Sequence, residues 1–90
     1  MSFKVVWKPS VKQGLASIWI KATNRRAVTQ AANKIDQCLE TDPMSQGESR
    51  SGTTRILIVS PLAVAYEVDE TDRVVFVLSV RQLPDRPKRG

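Results

Sequence analysis

Few side chains in this chain could do chemistry by themselves. There is one cysteine, Cys38, one tyrosine, Tyr66, and no histidine. The absence of histidine excludes the common Ser-His and Cys-His nucleophile pairs, histidine acid–base catalysis and most zinc sites. No metal or cofactor is therefore expected. Cys38 falls between Ile35 and Leu39 in a helical pattern, where it reads as a small buried hydrophobe. Tyr66 shares strand parity with Leu62, Val64 and Val68, which reads as core. Glu48, a lone acid in a polar segment, reads as a solvated loop acid. What remains is cationic: 14 lysines and arginines against 9 acids give a net charge of +5 over 90 residues. A basic domain this small suits polyanionic or acidic partners, nucleic acid or an acidic peptide. Arg50, Arg55 and Arg81 fall in a polar segment, at the start of one strand and at the end of another. Arginine suits phosphate because its planar fork donates two parallel bonds and keeps its charge. At strand ends such a cation can equally meet water or an acidic turn, and Arg73, directly after Asp72, reads as a turn cation.

The elements that must position these residues follow from periodicity. Phe3–Trp7 alternates as a strand, with Phe3, Val5 and Trp7 on one face, and Lys8-Pro9 ends it. Ser10 with Gln13 reads as a capping box opening a helix whose apolar stripe is Val11, Leu15, Ile18, Trp19 and Ala22. Gly14 interrupts that helix at a cost of about 1 kcal/mol relative to alanine, which points to a close approach there. Ile20 lies off the stripe, either solvated or touching a partner. Asn24 is the expected N-cap of a second helix with the stripe Val28, Ala31, Ala32, Ile35, Cys38 and Leu39, stopped at Asp42-Pro43. The short connection makes the pair an antiparallel hairpin. Its cations (Lys12, Lys21, Arg25, Arg26, Lys34) mostly miss the stripes and read as a solvated face. Met44–Thr54 is polar, with Gly47 and Gly52, and reads as a loop.

Three strands follow, Arg55–Ser60, Leu62–Val68 and Arg73–Arg81. Ser60-Pro61 reverses the chain between the first two, and the acidic run Asp69–Asp72 turns it before the third. The third places Val74, Phe76, Leu78 and Val80 on one face and Val75 and Val77 on the other, and its density of apolar residues suggests a central strand. On this pattern Trp19 and Phe76 meet in the core. The expected fold is α+β in the order β-α-α-β-β-β: an antiparallel sheet of about four strands with a helical hairpin on one face. Residues 1–82 form one domain, and 83–90, with two prolines and three cations, form a basic tail expected to be disordered. No apolar run approaches the roughly 18 residues of a membrane span, no signal peptide is apparent, and the one cysteine permits no internal disulfide. A cytoplasmic protein is expected.

The pieces, taken in order, resemble the RelE/ParE superfamily of type II toxin–antitoxin toxins from about Phe3 to Arg81. They are Trp7-Lys-Pro-Ser, Leu15-Ala-Ser-Ile-Trp19, Ala31…Ile35…Leu39, Asp42-Pro43 with Gly47, Arg55-Ile-Leu-Ile-Val, Leu62-Ala-Val-Ala-Tyr66-Glu-Val and Val74-Val-Phe-Val-Leu-Ser-Val-Arg81. The resemblance implies a first strand beside the last one and a cognate acidic antitoxin that covers the basic sheet face or the hairpin, burying residues such as Ile20. It implies ribosome-dependent mRNA cleavage as the expected activity, with ParE-like inhibition of DNA gyrase without nuclease activity, or a degenerate member that only binds RNA or protein, as the alternatives. For cleavage the resemblance assigns catalysis to Arg55 and Arg81 and RNA binding to Arg50, Arg55 and Arg81. The chain departs from the pattern in lacking any histidine, any aromatic residue after Phe76, and the C-terminal helix, whose place is taken by Pro84-Asp-Arg-Pro87.

Overall fold

The computed structural model describes residues 2–44 and 54–84, together with the backbone of 48–51. The elements are β1 (Lys4–Trp7), α1 (Pro9–Lys21), α2 (Arg25–Thr41), β2 (Glu48–Ser51), β3 (Thr54–Val59), β4 (Leu62–Asp69) and β5 (Val74–Gln82). The strands form one sheet in the order β1-β5-β4-β3-β2. The α+β class and the helical hairpin are as expected. The sheet is mixed, because β1 runs parallel to β5 while all other neighbours are antiparallel. The β1–β5 pairing makes the first strand the neighbour of the last, and β5 an interior strand. The polar segment expected as a loop contains β2, paired to β3 through Glu48↔Ile56, Ser49↔Arg55 and Ser51↔Thr54. A polar edge strand of four residues carries no apolar alternation, so periodicity does not reveal it. The expected tail from residue 85 onward lies outside the described residues.

The ends of α2 follow local rules. The Asn24 side chain accepts a hydrogen bond from the Ala27 N–H at 3.0 Å, and the helix stops at Thr41 before Asp42-Pro43. The start of α1 differs from the expected capping box. The helix begins at Pro9, one residue before Ser10, and its N-cap, Lys8, makes no side-chain cap bond. Proline fits the first turn because its fixed φ is helical and its missing N–H would have had no partner there. Arg25 serves the other end of α1: Nε donates to the Trp19 carbonyl at 3.1 Å and Nη2 to the Ile20 carbonyl at 3.0 Å. It thereby satisfies the Ile20 carbonyl and adds a second donor to the Trp19 carbonyl, which also accepts from the Ala22 N–H at 3.3 Å. A Cβ built at Gly14 would lie 3.6 Å from Val80 Cγ1, an ordinary contact, so the packing there does not require glycine.

The core lies between the hairpin and one face of the sheet. Val11, Val28, Ala31, Ile35 and Leu39 come from the helices and Leu57, Leu62, Val64, Tyr66, Val75 and Val77 from the strands. The α2 stripe is buried as expected, with Cys38 and Ala32 packed at its margin. The Trp19–Phe76 core contact is overturned. Trp19 is 42% exposed, and Phe76, 36% exposed, lies on the opposite side of the sheet from the hairpin. The reason is a bulge in β5. Ala65 pairs with Ser79 but Tyr66 pairs with Val77, leaving Leu78 as an extra residue. An extra residue resets strand parity. Val75 and Val77 therefore face the hairpin together with Val80, and strict alternation along β5 is broken.

Candidate functional site

Register assigns each candidate to a face, since directly paired residues share one side of a sheet. Arg55 pairs with Tyr66, whose side chain is fully buried under the hairpin, so Arg55 lies on the hairpin side. Arg81 pairs with Ala63 on the open side, where Ile58 of β3 completes the row. The two arginines are therefore on opposite faces of the sheet. They are also displaced by three residues along β4, about 10 Å, and by two strand spacings, about 9–10 Å. The fold does not bring them together. The side chains of Arg50 and Glu48 lie outside the described residues; only their backbone, in β2, is placed.

The hairpin-side cluster is centred on Tyr66. Its hydroxyl donates to the Pro43 carbonyl at 2.8 Å, fastening the chain just beyond α2 to the middle of the sheet. Burial raises the Tyr66 pKa above its usual value of 10.0. The nearby Arg55 charge pulls it down, while Asp42 and Cys38 push it up. Folding therefore favours the protonated phenol. The resulting stability is fully present below pH 10 and is lost as pH rises through the raised pKa. We expect unfolding free energy to fall more steeply above pH 10 in the parent than in Tyr66→Phe. Denaturant titrations at a series of alkaline pH values check this; identical slopes would contradict it. Tyr66 is a core tyrosine, as its parity indicated, and the arrangement gives it no access to an outside substrate.

The open face displays Val6, Ile56, Ile58, Ala63, Ala65 and Phe76, with Ile58 more than half exposed. Next to Arg81 lies a depression of about 290 Å³ lined by Ile56, Ala63, Ala65 and Ser79. The two alanines leave a low strip along β4 between the isoleucines of β3 and the Ser79 and Arg81 side chains of β5. The described residues of this face carry no cationic excess of the kind expected of a basic sheet face. Among its described residues, Lys4 and Arg81 are balanced by Glu67 and Asp69. Thr54 Oγ1 donates to Glu67 Oε2 at 3.2 Å, and the Asp69 carboxylate accepts from the Asp72 N–H at 3.1 Å. Glu67 and Ser79 went unremarked in the sequence because their place on this face depends on strand register and the β5 bulge. Among the described residues there is no group of three or more acids and cysteines able to hold a metal. No helix is long and apolar enough to cross a membrane.

No protein-family model matches the chain, and no curated relative matches it. Solved structures do. A chain of the Mycobacterium tuberculosis RelBE2 toxin–antitoxin complex aligns over 91% of this chain and 99% of its own length, with a TM-score of 0.72 and 15% identity. The isolated E. coli RelE toxin aligns over 94% of this chain and 88% of its own, with a TM-score of 0.68 and 18% identity. The fold is that of the RelE/ParE toxins. A chain from the chromosomal ParDE system of P. aeruginosa matches as well, at a TM-score of 0.70 and 13% identity over 92% of this chain and 98% of its own. The RelE/ParE fold thus accommodates this sequence with the hairpin, the mixed sheet and the interior β5 in place. RelE and ParE structures match to a similar degree, so fold likeness does not choose between their activities.

Proposed function

We propose that the protein is the toxin of a toxin–antitoxin pair, held inactive by an acidic antitoxin, and that it acts on a protein target without cutting RNA. The ParE side of the resemblance makes DNA gyrase the target class. The observation that carries the choice is the separation of Arg55 and Arg81 onto opposite faces of the sheet. RNA cleavage by 2′-OH attack needs a base, a proton donor and cations converging on one phosphate. Among the described residues Arg81 has a serine and apolar residues around it, and Arg55 is on the far side of the sheet. The charge balance among the described residues of the open face supports the same reading, since nucleic-acid surfaces are strongly positive.

Ribosome-dependent mRNA cleavage, the activity expected from the sequence, becomes the second reading, favoured by one feature: Arg81 is exposed beside a depression large enough for a flat ring. The toxin assignment itself is tested by inducible expression in a bacterial host. Growth should stop, and co-expression of the acidic protein encoded beside it should restore growth and co-purify with this chain. Unimpaired growth together with no complex would remove the toxin reading under either mechanism.

A further inference from the structure

The open face of the sheet is laid out in rows, because paired residues on neighbouring strands stand side by side. Lys4, Val74 and Asp69 form the row at one end, and Val6, Phe76, Glu67 and Thr54 form the next. Ser79, Ala65 and Ile56 make the third row, and Arg81, Ala63 and Ile58 the fourth. Charge changes sign along the strands. Glu67 and Asp69 lie in the first two rows, and Arg81 lies in the last. Shape changes as well. The Phe76 ring stands in the second row, 36% exposed. The depression of about 290 Å³ beside Arg81 occupies the third and fourth rows, where the two alanines leave it open.

A two-fold axis that runs across the strands, midway between the second and third rows, turns this pattern onto itself. It sets the first row of one copy against the fourth row of another, and the second against the third. Phe76 of each copy then meets the depression of the other. Arg81 of each meets the end of the other that carries Glu67 and Asp69. Knob with hole and cation with acid are matched by the same rotation, which is the condition for an isologous interface.

We infer that the open face pairs with the same face of a second copy of this chain, Phe76 seated in the neighbouring depression and Arg81 against Glu67 and Asp69. The occupant follows from charge complementarity. A nucleic acid or an acidic peptide would meet Arg81 at one end but two carboxylates at the other. A second copy presents both signs in the reverse order. The cations of α1 and α2 lie on the far side of each sheet, so the two hairpins point away from each other. Area sets the strength. Four rows about 7 Å apart and three to four strands about 4.8 Å apart make a patch of about 20 by 15 Å. That is well below the roughly 800 Å² per partner of a standard interface, so the dimer is weak, with a Kd on the order of 100 μM. It covers Arg81 and the depression, and so excludes any other occupant of this face. The inference does not rest on the toxin reading.

The test is sedimentation equilibrium of the purified chain at low salt, from about 10 μM to 1 mM. The mass should climb with concentration from 10.0 kDa toward twice that value, and less steeply as salt is added. Phe76→Ala should weaken association about tenfold or more. Arg81→Glu and Glu67→Lys should each do the same, since the two-fold axis repeats every lost ion pair as a repulsion at two places. Arg81→Glu also lowers the net positive charge, so association governed by overall charge would strengthen instead. An equimolar mixture of the Arg81→Glu and Glu67→Lys proteins should recover the dimer, because each then meets its opposite at both places. That recovery also shows that both variants are folded. Constant mass across the range would overturn the inference, whether or not a single-stranded RNA homopolymer or an acidic peptide binds the face. So would unchanged association of Phe76→Ala, stronger association of Arg81→Glu, or no recovery on mixing two variants whose circular dichroism is that of the parent.

Discussion

Ile35→Ala should lower the unfolding free energy by about 2–5 kcal/mol, while Trp19→Ala should lower it by less than about 1 kcal/mol. Ile35 is completely buried where α2 meets the sheet, so truncation leaves a cavity ringed by fixed neighbours. A domain of this size has about 5–14 kcal/mol in total at the usual 0.05–0.15 kcal/mol per residue, so the variant should lose a large share of its stability. Trp19 is aromatic, yet two-fifths of its surface already faces solvent and its strongest attachments are to Thr29 and Arg25 at the hairpin corner. Chemical denaturation of the two variants side by side checks the ranking. A Trp19→Ala loss as large as that of Ile35→Ala would mean that Trp19 belongs to the core after all.

The two arginines should behave as unrelated residues. If both stabilised charge on one phosphate, each alanine variant would lose on the order of 100- to 1000-fold in rate, with toxicity lost in step. Under the proposed function, two arginines on opposite faces share no substrate. Arg81→Ala should leave stability unchanged, since the residue is exposed at the end of β5, and should leave growth arrest within about tenfold of the parent. Arg55→Ala should act on the other side of the sheet. Removing the charge that holds the Tyr66 pKa down should move the Tyr66 titration further upward, seen in a tyrosinate absorbance titration. Matched losses of toxicity in both variants, with folding intact, would contradict this and return the pair to a shared site.

What the sequence disclosed was whatever depends on local periodicity. The α2 stripe, the Asn24 cap and the stop before Pro43 are encoded within a turn or two of helix, and each stands where the pattern put it. Tyr66 was legible as core because β4 alternates without interruption. Failure came where local pattern and tertiary structure part company. The bulge at Leu78 moved Phe76 to the open face, and no residue around it announces a bulge. Trp19 sits on the apolar stripe of α1, but the hairpin corner holds it beside Thr29 rather than under the sheet. The family resemblance paired Arg55 and Arg81 as catalytic; only the register reveals that they lie on different sides. The electrostatic reading suffered likewise. A net charge of +5 says nothing about which face carries it, and among the described residues the excess lies on the hairpin rather than the sheet.

The central claim, a toxin that works without cutting RNA, is tested most directly by mapping transcript ends across ribosome-bound messages after a brief induction of the parent protein. The account predicts arrested growth and a DNA-damage response, with message ends indistinguishable from those of uninduced cells. New ends at ribosomal A-site codons, appearing as growth stops and absent in Arg81→Ala, would contradict it and establish the RNA-cleaving alternative.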